Sequence, residues 1–295
     1  MITRRALVFG VSAAVLAGAL LYRVRPVSAA QASGALSRAF ADIEAKVGGR
    51  LGVSVHDTGS GLRVSHRGDE RFPLCSTFKL LAAGAILARV DDGTERLHRS
   101  VPIRAEEIVT YSPATEKHVG GSMTLAAICE AAITLSDNTA GNLMLAAIGG
   151  PEALTAYARS LGDEATRLDR TEPTLNDVKP GSQADTTTPS AMISDLHALL
   201  VGDALSPASR DQLAAWLIAN KTGDARLRAG LPANWRVGDK TGTCNASTAN
   251  DVGLAWPPDR KPVLLAAYLA DTTAPREAQN AAISEVGRAV AAALP

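Results

Sequence analysis

The sequence predicts an α+β fold, in which terminal helices flank one five-stranded antiparallel sheet and an all-helical lobe lies beside it. Two observations support this prediction: strand patterns lie near both ends of the 295-residue chain, and helical patterns fill its middle. The simplest architecture joins the strands from the two ends into one sheet. This assigns residues 31–75 and 217–295 to an α/β lobe and residues 76–216 to the helical lobe. A cleft between two such lobes is a natural ligand site.

The N-terminal part of the α/β lobe should contain one helix and one β-hairpin. Apolar residues recur at helical spacing from Leu36 to Val47, and two glycines follow them. Apolar and polar residues then alternate from Leu51 to Val55, which predicts a strand. Residues 57–61 have the composition of a turn, and a second strand should follow at residues 62–66.

The rest of the chain supplies the helical lobe and the remaining strands. Helical patterns separated by segments rich in Gly, Pro, Asp and Asn cover the chain from about Ser76 to Trp216. Strand patterns return near Trp235–Lys240, Val252–Trp256 and Val263–Leu269. A last helix should follow Pro275. Its apolar face comprises Ile283, Val286, Val290 and Leu294.

The first thirty residues predict an export signal. Arg4 and Arg5 precede an apolar run over residues 6–22, and small residues at 28–30 predict cleavage near Gln31. The paired arginines also resemble a twin-arginine signal. A permanent membrane anchor is the alternative, but the run is short and rich in Ala and Gly. We therefore expect residues 1–30 to be a signal peptide and the mature protein to be periplasmic or secreted, without a membrane contact.

Charge and metal-ligand patterns exclude several classes of partner. The chain holds 30 basic and 30 acidic residues, and the first thirty residues hold four arginines and no acid. The remainder therefore carries a net charge of about −4, which argues against nucleic acid as a partner. The five histidines and three cysteines show no metal-ligand spacing. We expect no metal and no cofactor.

Three short motifs carry the candidate chemistry. Ser76-Thr77-Phe78-Lys79 is an S-x-x-K element at the start of a helical run, so the hydroxyl and the amine share one helix face. Ser136-Asp137-Asn138 follows an apolar run, and Lys240-Thr241-Gly242 ends a strand. Each motif alone has an ordinary explanation, such as a helix cap, a surface lysine or a turn glycine. All three in this order rarely arise by chance.

In this combination the motifs resemble those of class A β-lactamases and penicillin-binding proteins. A further element, Glu172-Pro173-Thr174-Leu175-Asn176, resembles the E-x-x-L-N motif that class A β-lactamases have and penicillin-binding transpeptidases lack. It lies in a polar stretch over residues 170–185 that should form an Ω-loop. The resemblance implies that Arg170 and Asp185 form an ion pair anchoring this loop. The resemblance to class A β-lactamases covers nearly the whole mature chain.

The resemblance also implies catalytic roles for these residues. Ser76 would attack the lactam carbonyl, and either Lys79 or Glu172 acting through a water molecule would remove its proton. Ser136 would relay a proton to the leaving nitrogen, with Lys240 supplying positive potential. The backbone N–H groups of Ser76 and Thr243 would form the oxyanion hole. The water that hydrolyses the ester would be positioned by Glu172 and Asn176.

Substrate contacts follow from the same resemblance. The drug carboxylate would bind at the end of the last motif, and Asn138 would hold the side-chain amide. The residues implied at the carboxylate are Thr241, Gly242, Thr243 and Arg226. Tyr111 matches the aromatic residue at the mouth of the family's cleft, although an ordinary partly buried tyrosine is the alternative.

The cysteines indicate a subgroup. Cys75 precedes the nucleophile and Cys244 follows Thr243, so a disulfide between them is reasonable if both motifs line one site; two small buried apolar residues are the alternative. The same pair, with Thr243 and Arg226, resembles the carbapenem-hydrolysing subgroup. Cys129 should be a free, buried thiol, because its usual partner position is Ala83.

The sequence therefore predicts a monomeric hydrolase that opens β-lactam antibiotics, including carbapenems, through a serine acyl-enzyme. Two alternatives use the same serine and lysine: a penicillin-binding D,D-peptidase, and a β-lactam receptor that stays acylated. Neither needs a deacylating carboxylate, so Glu172 and Asn176 argue against both.

Overall fold

The computed structural model describes residues 29–179 and 181–294, so almost all of the predicted signal peptide lies outside the described residues. Elements are numbered in chain order. The central sheet has five antiparallel strands in the order β2-β1-β9-β8-β7, as predicted. These strands are β1 (Arg50–Asp57), β2 (Arg63–His66), β7 (Arg236–Gly242), β8 (Ala249–Trp256) and β9 (Val263–Ala270). Strand β1 pairs with β9 over its whole length, which joins the two ends of the chain.

Two terminal helices cover one face of the sheet, as the apolar spacing predicts. They are α1 (Ala29–Val47) and α9 (Arg276–Ala293). Phe40 of α1 and Ile283 and Val286 of α9 are fully buried in one core with the sheet residues Leu51 and Leu269. This core holds the N-terminal and C-terminal segments together because both helices bury their apolar stripe against the same strands.

The other face of the sheet is buried too, which the alternating pattern of β1 did not predict. Helix α6 (Pro189–Leu200) packs on β1 and β9. Ser54 and His56 of β1 are only 7% exposed. A polar residue in a strand therefore did not mark a solvent-facing side here. Helix α6 lies in the proposed helical lobe, so the two proposed lobes share this core.

Helices dominate the middle of the chain, with two small sheets between them. The further helices are α2 (Phe78–Asp91), α3 (Leu125–Thr134), α4 (Asn138–Ile148), α5 (Pro151–Ser160), α7 (Pro207–Ile218) and α8 (Leu227–Gly230). The two-stranded sheets pair β3 (Phe72–Pro73) with β6 (Thr186–Thr187) and β4 (Ser100–Pro102) with β5 (Ser122–Thr124). Strands of two or three residues have no readable periodicity, so the sequence did not predict them. None of the described helices is long and apolar enough to cross a bilayer.

Candidate active site

Ser76 lies in a short 3-10 helix over Cys75–Thr77 that leads directly into α2. Its side chain and that of Lys79 are one turn apart, and Lys79 Nζ donates to Ser76 Oγ over 2.9 Å. Cys75 adopts a positive φ of 45°, a conformation that a non-glycine residue rarely takes. The Ser76 hydroxyl therefore lies at a sharp turn of the backbone, next to the Lys79 amine.

Lys79 is completely buried and has four polar partners. Besides Ser76, its Nζ donates to the Ser136 carbonyl and to Asn138 Oδ1, each over 2.8 Å, and it lies 3.1 Å from Glu172 Oε1. Burial lowers the pKa of Lys79, and the Glu172 carboxylate opposes that shift; the net direction is downward. A lysine with a lowered pKa next to a serine hydroxyl is suited to accept its proton.

The Ser136-Asp137-Asn138 motif forms the turn into α4. Ser136 has a positive φ of 59°. Asp137 caps the helix by accepting the N–H of Ala140 over 2.8 Å, and its carboxylate also accepts the N–H groups of Ala114 and Thr115. This capping fixes the turn, so that the Ser136 hydroxyl and the Asn138 amide both project into the cleft.

Glu172 lies beside Ser76 and contacts its hydroxyl. Its Oε1 accepts the Ser76 hydroxyl over 3.2 Å, and its Oε2 accepts Asn176 Nδ2 over 2.5 Å. The backbone of Glu172 is held by Asn142, whose side chain accepts the Glu172 N–H over 2.8 Å and donates to its carbonyl over 2.9 Å. Sequence reasoning missed Asn142. Its position one helical turn after Asn138 on α4 was the available signal.

Arg170 and Asp185 close the two ends of the loop. Arg170 Nε lies 2.6 Å from Asp185 Oδ2, and Asp185 is 1% exposed. Asp185 Oδ1 also accepts the N–H groups of Asp169 over 2.8 Å and Arg170 over 2.9 Å. The buried carboxylate is therefore fixed by backbone donors as well as by the guanidinium, which sequence reasoning did not anticipate.

Strand β7 forms the remaining wall. Lys240 Nζ donates to Ser136 Oγ over 3.0 Å and to the Thr241 carbonyl over 2.7 Å. Burial, together with the charge of Lys79, holds the pKa of Lys240 well below its usual value. Gly242 follows, and a Cβ there would lie 3.0 Å from the Leu74 carbonyl oxygen. The absence of a side chain lets the strand lie against the segment that carries Ser76.

Arg226 reaches the end of the same strand from the segment before α8. Its guanidinium donates to the carbonyl of Gly242 over 2.8 Å and to the hydroxyl of Thr243 over 2.7 Å. Its Nε donates to Asn280 Oδ1 over 2.9 Å. The structure therefore brings Arg226 beside Thr243, where a carboxylate would meet a positive charge and a hydroxyl together.

Cys75 and Cys244 form a disulfide with a Cα–Cα distance of 5.2 Å. It links the residue before Ser76 to the residue after Thr243, so the two backbone N–H groups assigned to the oxyanion hole sit on tethered segments. The third cysteine, Cys129, is free and buried, as the sequence predicts. Burial raises the pKa of its thiol to about 12.

These groups surround one cleft of about 350 Å³. Its lining comprises Ser76, Tyr111, Ser136, Asn138, Asn176, Thr222, Arg226, Thr241, Thr243 and Cys244. Tyr111 is 58% exposed and has a positive φ of 65°, so it is not the partly buried tyrosine of the alternative interpretation. Thr222, which the sequence did not indicate, is hydrogen-bonded to Thr241 across 2.5 Å. The lining combines serine, threonine and asparagine side chains with one arginine.

A serine hydroxyl in contact with a buried lysine and a buried glutamate is an arrangement suited to a serine hydrolase. The model of the beta-lactamase enzyme family matches residues 35–294, and the chain belongs to this family. It is a class A serine β-lactamase, a hydrolase of β-lactam antibiotics.

Known relatives and solved structures agree with this assignment. β-Lactamase AST-1 of Nocardia asteroides is 51% identical over 255 residues, covering 86% of this chain and 82% of that enzyme. β-Lactamase FAR-1 of Nocardia farcinica is 49% identical over the same length and with the same coverage. The ancestral class A β-lactamase GNCA superposes with a TM-score of 0.87 at 61% identity, covering 88% of this chain and all of that chain.

Proposed function

We propose that the enzyme hydrolyses carbapenems as well as other β-lactams, through an acyl-enzyme on Ser76 that Glu172 helps to hydrolyse. The observation that carries the proposal is the position of the Glu172 carboxylate, which contacts the Ser76 hydroxyl on one side and the Asn176 amide on the other. A carboxylate in this position can act in both acylation and deacylation. It lies next to the Ser76 hydroxyl, and it lies next to an amide that would hold a water molecule together with it.

In the acylation step, Ser76 Oγ attacks the lactam carbonyl carbon. The Ser76 proton passes to Lys79, 2.9 Å away, or through a water molecule to Glu172. The negative charge that develops on the carbonyl oxygen is stabilised by the backbone N–H groups of Ser76 and Thr243. When the lactam C–N bond breaks, the nitrogen takes a proton from Ser136 Oγ, which contacts Lys240. Ser136 regains the proton that left Ser76, so that one proton has passed from Ser76 to the nitrogen.

Deacylation uses a water molecule held by Glu172 and Asn176. Glu172 takes a proton from this water, and the oxygen attacks the ester carbonyl carbon. The bond between that carbon and Ser76 Oγ then breaks, and the serine oxygen takes the proton that Glu172 received from the water, since Glu172 Oε1 lies 3.2 Å away. Asn176 supports this role because its Nδ2 fixes Glu172 Oε2, which leaves the carboxylate only one orientation.

Substrate orientation depends on groups at the two ends of the cleft. The drug carboxylate binds between Thr241 and Thr243, with the Arg226 guanidinium beside Thr243. Asn138 holds the side-chain amide of the drug. Its own orientation is fixed because its Oδ1 accepts a hydrogen bond from Lys79 and its Nδ2 donates to the Thr110 carbonyl. Tyr111 provides an exposed aromatic surface at the mouth.

Carbapenem hydrolysis is supported by three features together: the Cys75–Cys244 disulfide, Thr243 and Arg226. The test is steady-state hydrolysis of a carbapenem and a penicillin by the purified enzyme, followed by the loss of β-lactam absorbance. We expect many turnovers with both. If each enzyme molecule reacts with only one carbapenem molecule, the activity is restricted to other β-lactams. Stoichiometric labelling with a chromogenic cephalosporin as well would favour the D,D-peptidase or receptor alternatives.

The site of action that we propose is the periplasm or the medium, with the enzyme as a monomer. The N-terminal arginines, apolar run and small residues support export, and an oxidising compartment suits the disulfide. Replacing Arg4 and Arg5 by lysine tests the twin-arginine route. Loss of enzyme from the periplasmic fraction supports it, and unchanged export indicates the general secretory route.

A further inference from the structure

Two buried carboxyl groups lie beside the neck of the Ω-loop, and no step of the proposed reaction uses them. Asp195 on α6 is 0% exposed, and Asp163, which follows α5, is 3% exposed. Both carboxyl oxygens of Asp195 and Oδ2 of Asp163 are buried, and no N–H or hydroxyl group in the part of the chain that the structure describes donates to them. Buried acceptors without donors are costly, so three in one place need an explanation.

Within residues 29–179 and 181–294, no cationic side chain forms a salt bridge with this pair. Arg159 is the neighbouring positive charge, but its NH1 donates to the carbonyl oxygens of Asp163 and Thr166, and its salt bridge at 3.5 Å is to Glu164. Other titratable groups near the pair come from the elements that surround α6. They are Tyr157 of α5 and Tyr268 of β9. Asp91 of α2 lies near Tyr157, and α6 also carries His197, which stacks on His56 of β1. Burial lowers the pKa of His56, which disfavours its charged form, and Tyr157, Tyr268 and Asp91 cannot carry a positive charge.

We propose that Asp195 and Asp163 share one proton, so that Asp195 donates a hydrogen bond to Asp163 and acts as a positioning residue for the Ω-loop. The two side chains are within hydrogen-bonding contact. One shared proton satisfies two of the three unpaired oxygens at once and leaves the pair with a single negative charge. Burial, with the neighbouring Asp163 carboxylate, raises the pKa of Asp195 to about 9.

Asp163 connects the pair to the loop. Its Oδ1 accepts the N–H groups of Ala165 over 2.7 Å and Thr166 over 2.9 Å. The Thr166 hydroxyl in turn contacts the Thr187 hydroxyl across 2.6 Å, and the next residue, Arg167, donates its N–H to the Thr186 carbonyl over 2.9 Å. These contacts join the two arms of the chain just outside Arg170 and Asp185. The hydrogen bond from Asp195 thus fixes the turn from which the segment carrying Glu172 begins.

Thermal and denaturant unfolding as a function of pH test the shared proton. The folded state keeps a proton on Asp195 up to about pH 9, whereas an aspartate in the unfolded chain loses it near its ordinary pKa of 3.8. The folded state therefore binds one more proton in this window, and its stability falls as pH rises. Asp195→Asn keeps a hydrogen-bond donor but cannot titrate. We expect the unfolding equilibrium constant of the wild type to rise about tenfold per pH unit relative to this variant between pH 5 and 8.

Asp211→Asn is the matched control, because Asp211 is an exposed aspartate on α7. It should leave the pH dependence unchanged. Equal slopes for Asp195→Asn and wild type would overturn the shared proton. So would a melting temperature that rises with added Na⁺ or Ca²⁺ in the wild type alone, because a bound cation would then explain the unpaired oxygens.

Acyl-enzyme kinetics test the positioning role, which rests on the proposed function of Glu172 in deacylation. Asp195→Ala removes the donor, so we expect deacylation to slow about tenfold, with kcat and KM falling together and kcat/KM nearly constant. Asp195→Asn should restore the wild-type rate at neutral pH. Unchanged deacylation in Asp195→Ala would overturn the positioning role. The separate failure of Glu172 as deacylating residue would appear as full turnover in Glu172→Ala, so the two failures are distinguishable.

Discussion

Lys79 Nζ and Glu172 Oε1 lie 3.1 Å apart, and both side chains are completely buried. A buried ion pair is stable only while both partners are present, because the loss of one leaves an uncompensated charge in a medium of low polarity. Removal of Glu172 should therefore lower the pKa of Lys79 further and favour its neutral form. This relationship implies that a variant without Glu172 still has a base beside Ser76.

The first prediction concerns the pH dependence contributed by Lys240. Its lowered pKa means that the ammonium loses its proton at a pH below the 10.5 of an ordinary lysine. Because a charged side chain is needed to attract the drug carboxylate, kcat/KM should fall as pH rises through this pKa. Lys240→Arg keeps the charge, so its alkaline limb should move to higher pH. Exposed Lys221→Arg is the control, and identical limbs for all three proteins would refute the role.

A second prediction concerns the loop anchor. Asp185→Asn keeps the shape but removes the charge that pairs with Arg170. We expect deacylation to slow about tenfold, which corresponds to about 1.4 kcal/mol, and the substrate profile to shift more than the melting temperature. Glu164→Gln, an exposed carboxylate outside the loop, serves as the control. A large drop in melting temperature with an unchanged profile would show that the pair only stabilises the fold.

The disulfide yields a third prediction. It closes a loop with a sequence separation of 169 residues. By the chain-entropy argument such a bridge contributes up to about 5 kcal/mol. Cys75→Ser should therefore lower stability, and it should reduce carbapenem hydrolysis more than penicillin hydrolysis. Cys244→Ser breaks the same bridge and should match it. An equal loss for both drug classes would mean that the bridge is structural only.

Counting thiols provides a fourth prediction. Cys129 is buried, and its thiol pKa of about 12 leaves almost no thiolate at pH 8. The native enzyme should therefore not react with a thiol reagent, and the denatured, unreduced enzyme should show one thiol. Three thiols in the denatured protein would exclude the disulfide.

Periodicity predicted the sheet and the terminal helices because their apolar stripes are long and regular, as from Leu36 to Val47. It did not predict the second buried face of β1, because that depends on α6, which is more than 130 residues further along the chain. Short motifs and the family resemblance indicated the residues that line the cleft, except Thr222. Asn142 was missed because its partner, the Glu172 backbone, is brought to it only by the folded loop. The proposed pairing of Asp163 with Asp195 could not be predicted from the sequence either, because no local pattern joins the segment after α5 to α6.

Intact-protein mass spectrometry of Glu172→Ala after mixing with a penicillin tests the central claim, that Ser76 is acylated and Glu172 drives deacylation. We expect the mass to rise by that of one penicillin molecule and to stay raised, because Lys79 remains as a base for acylation while the hydrolytic water has lost its carboxylate. Wild-type enzyme should return to its unmodified mass within the mixing time, and Ser76→Ala should gain no mass. Rapid return of Glu172→Ala to its unmodified mass would contradict the role assigned to Glu172.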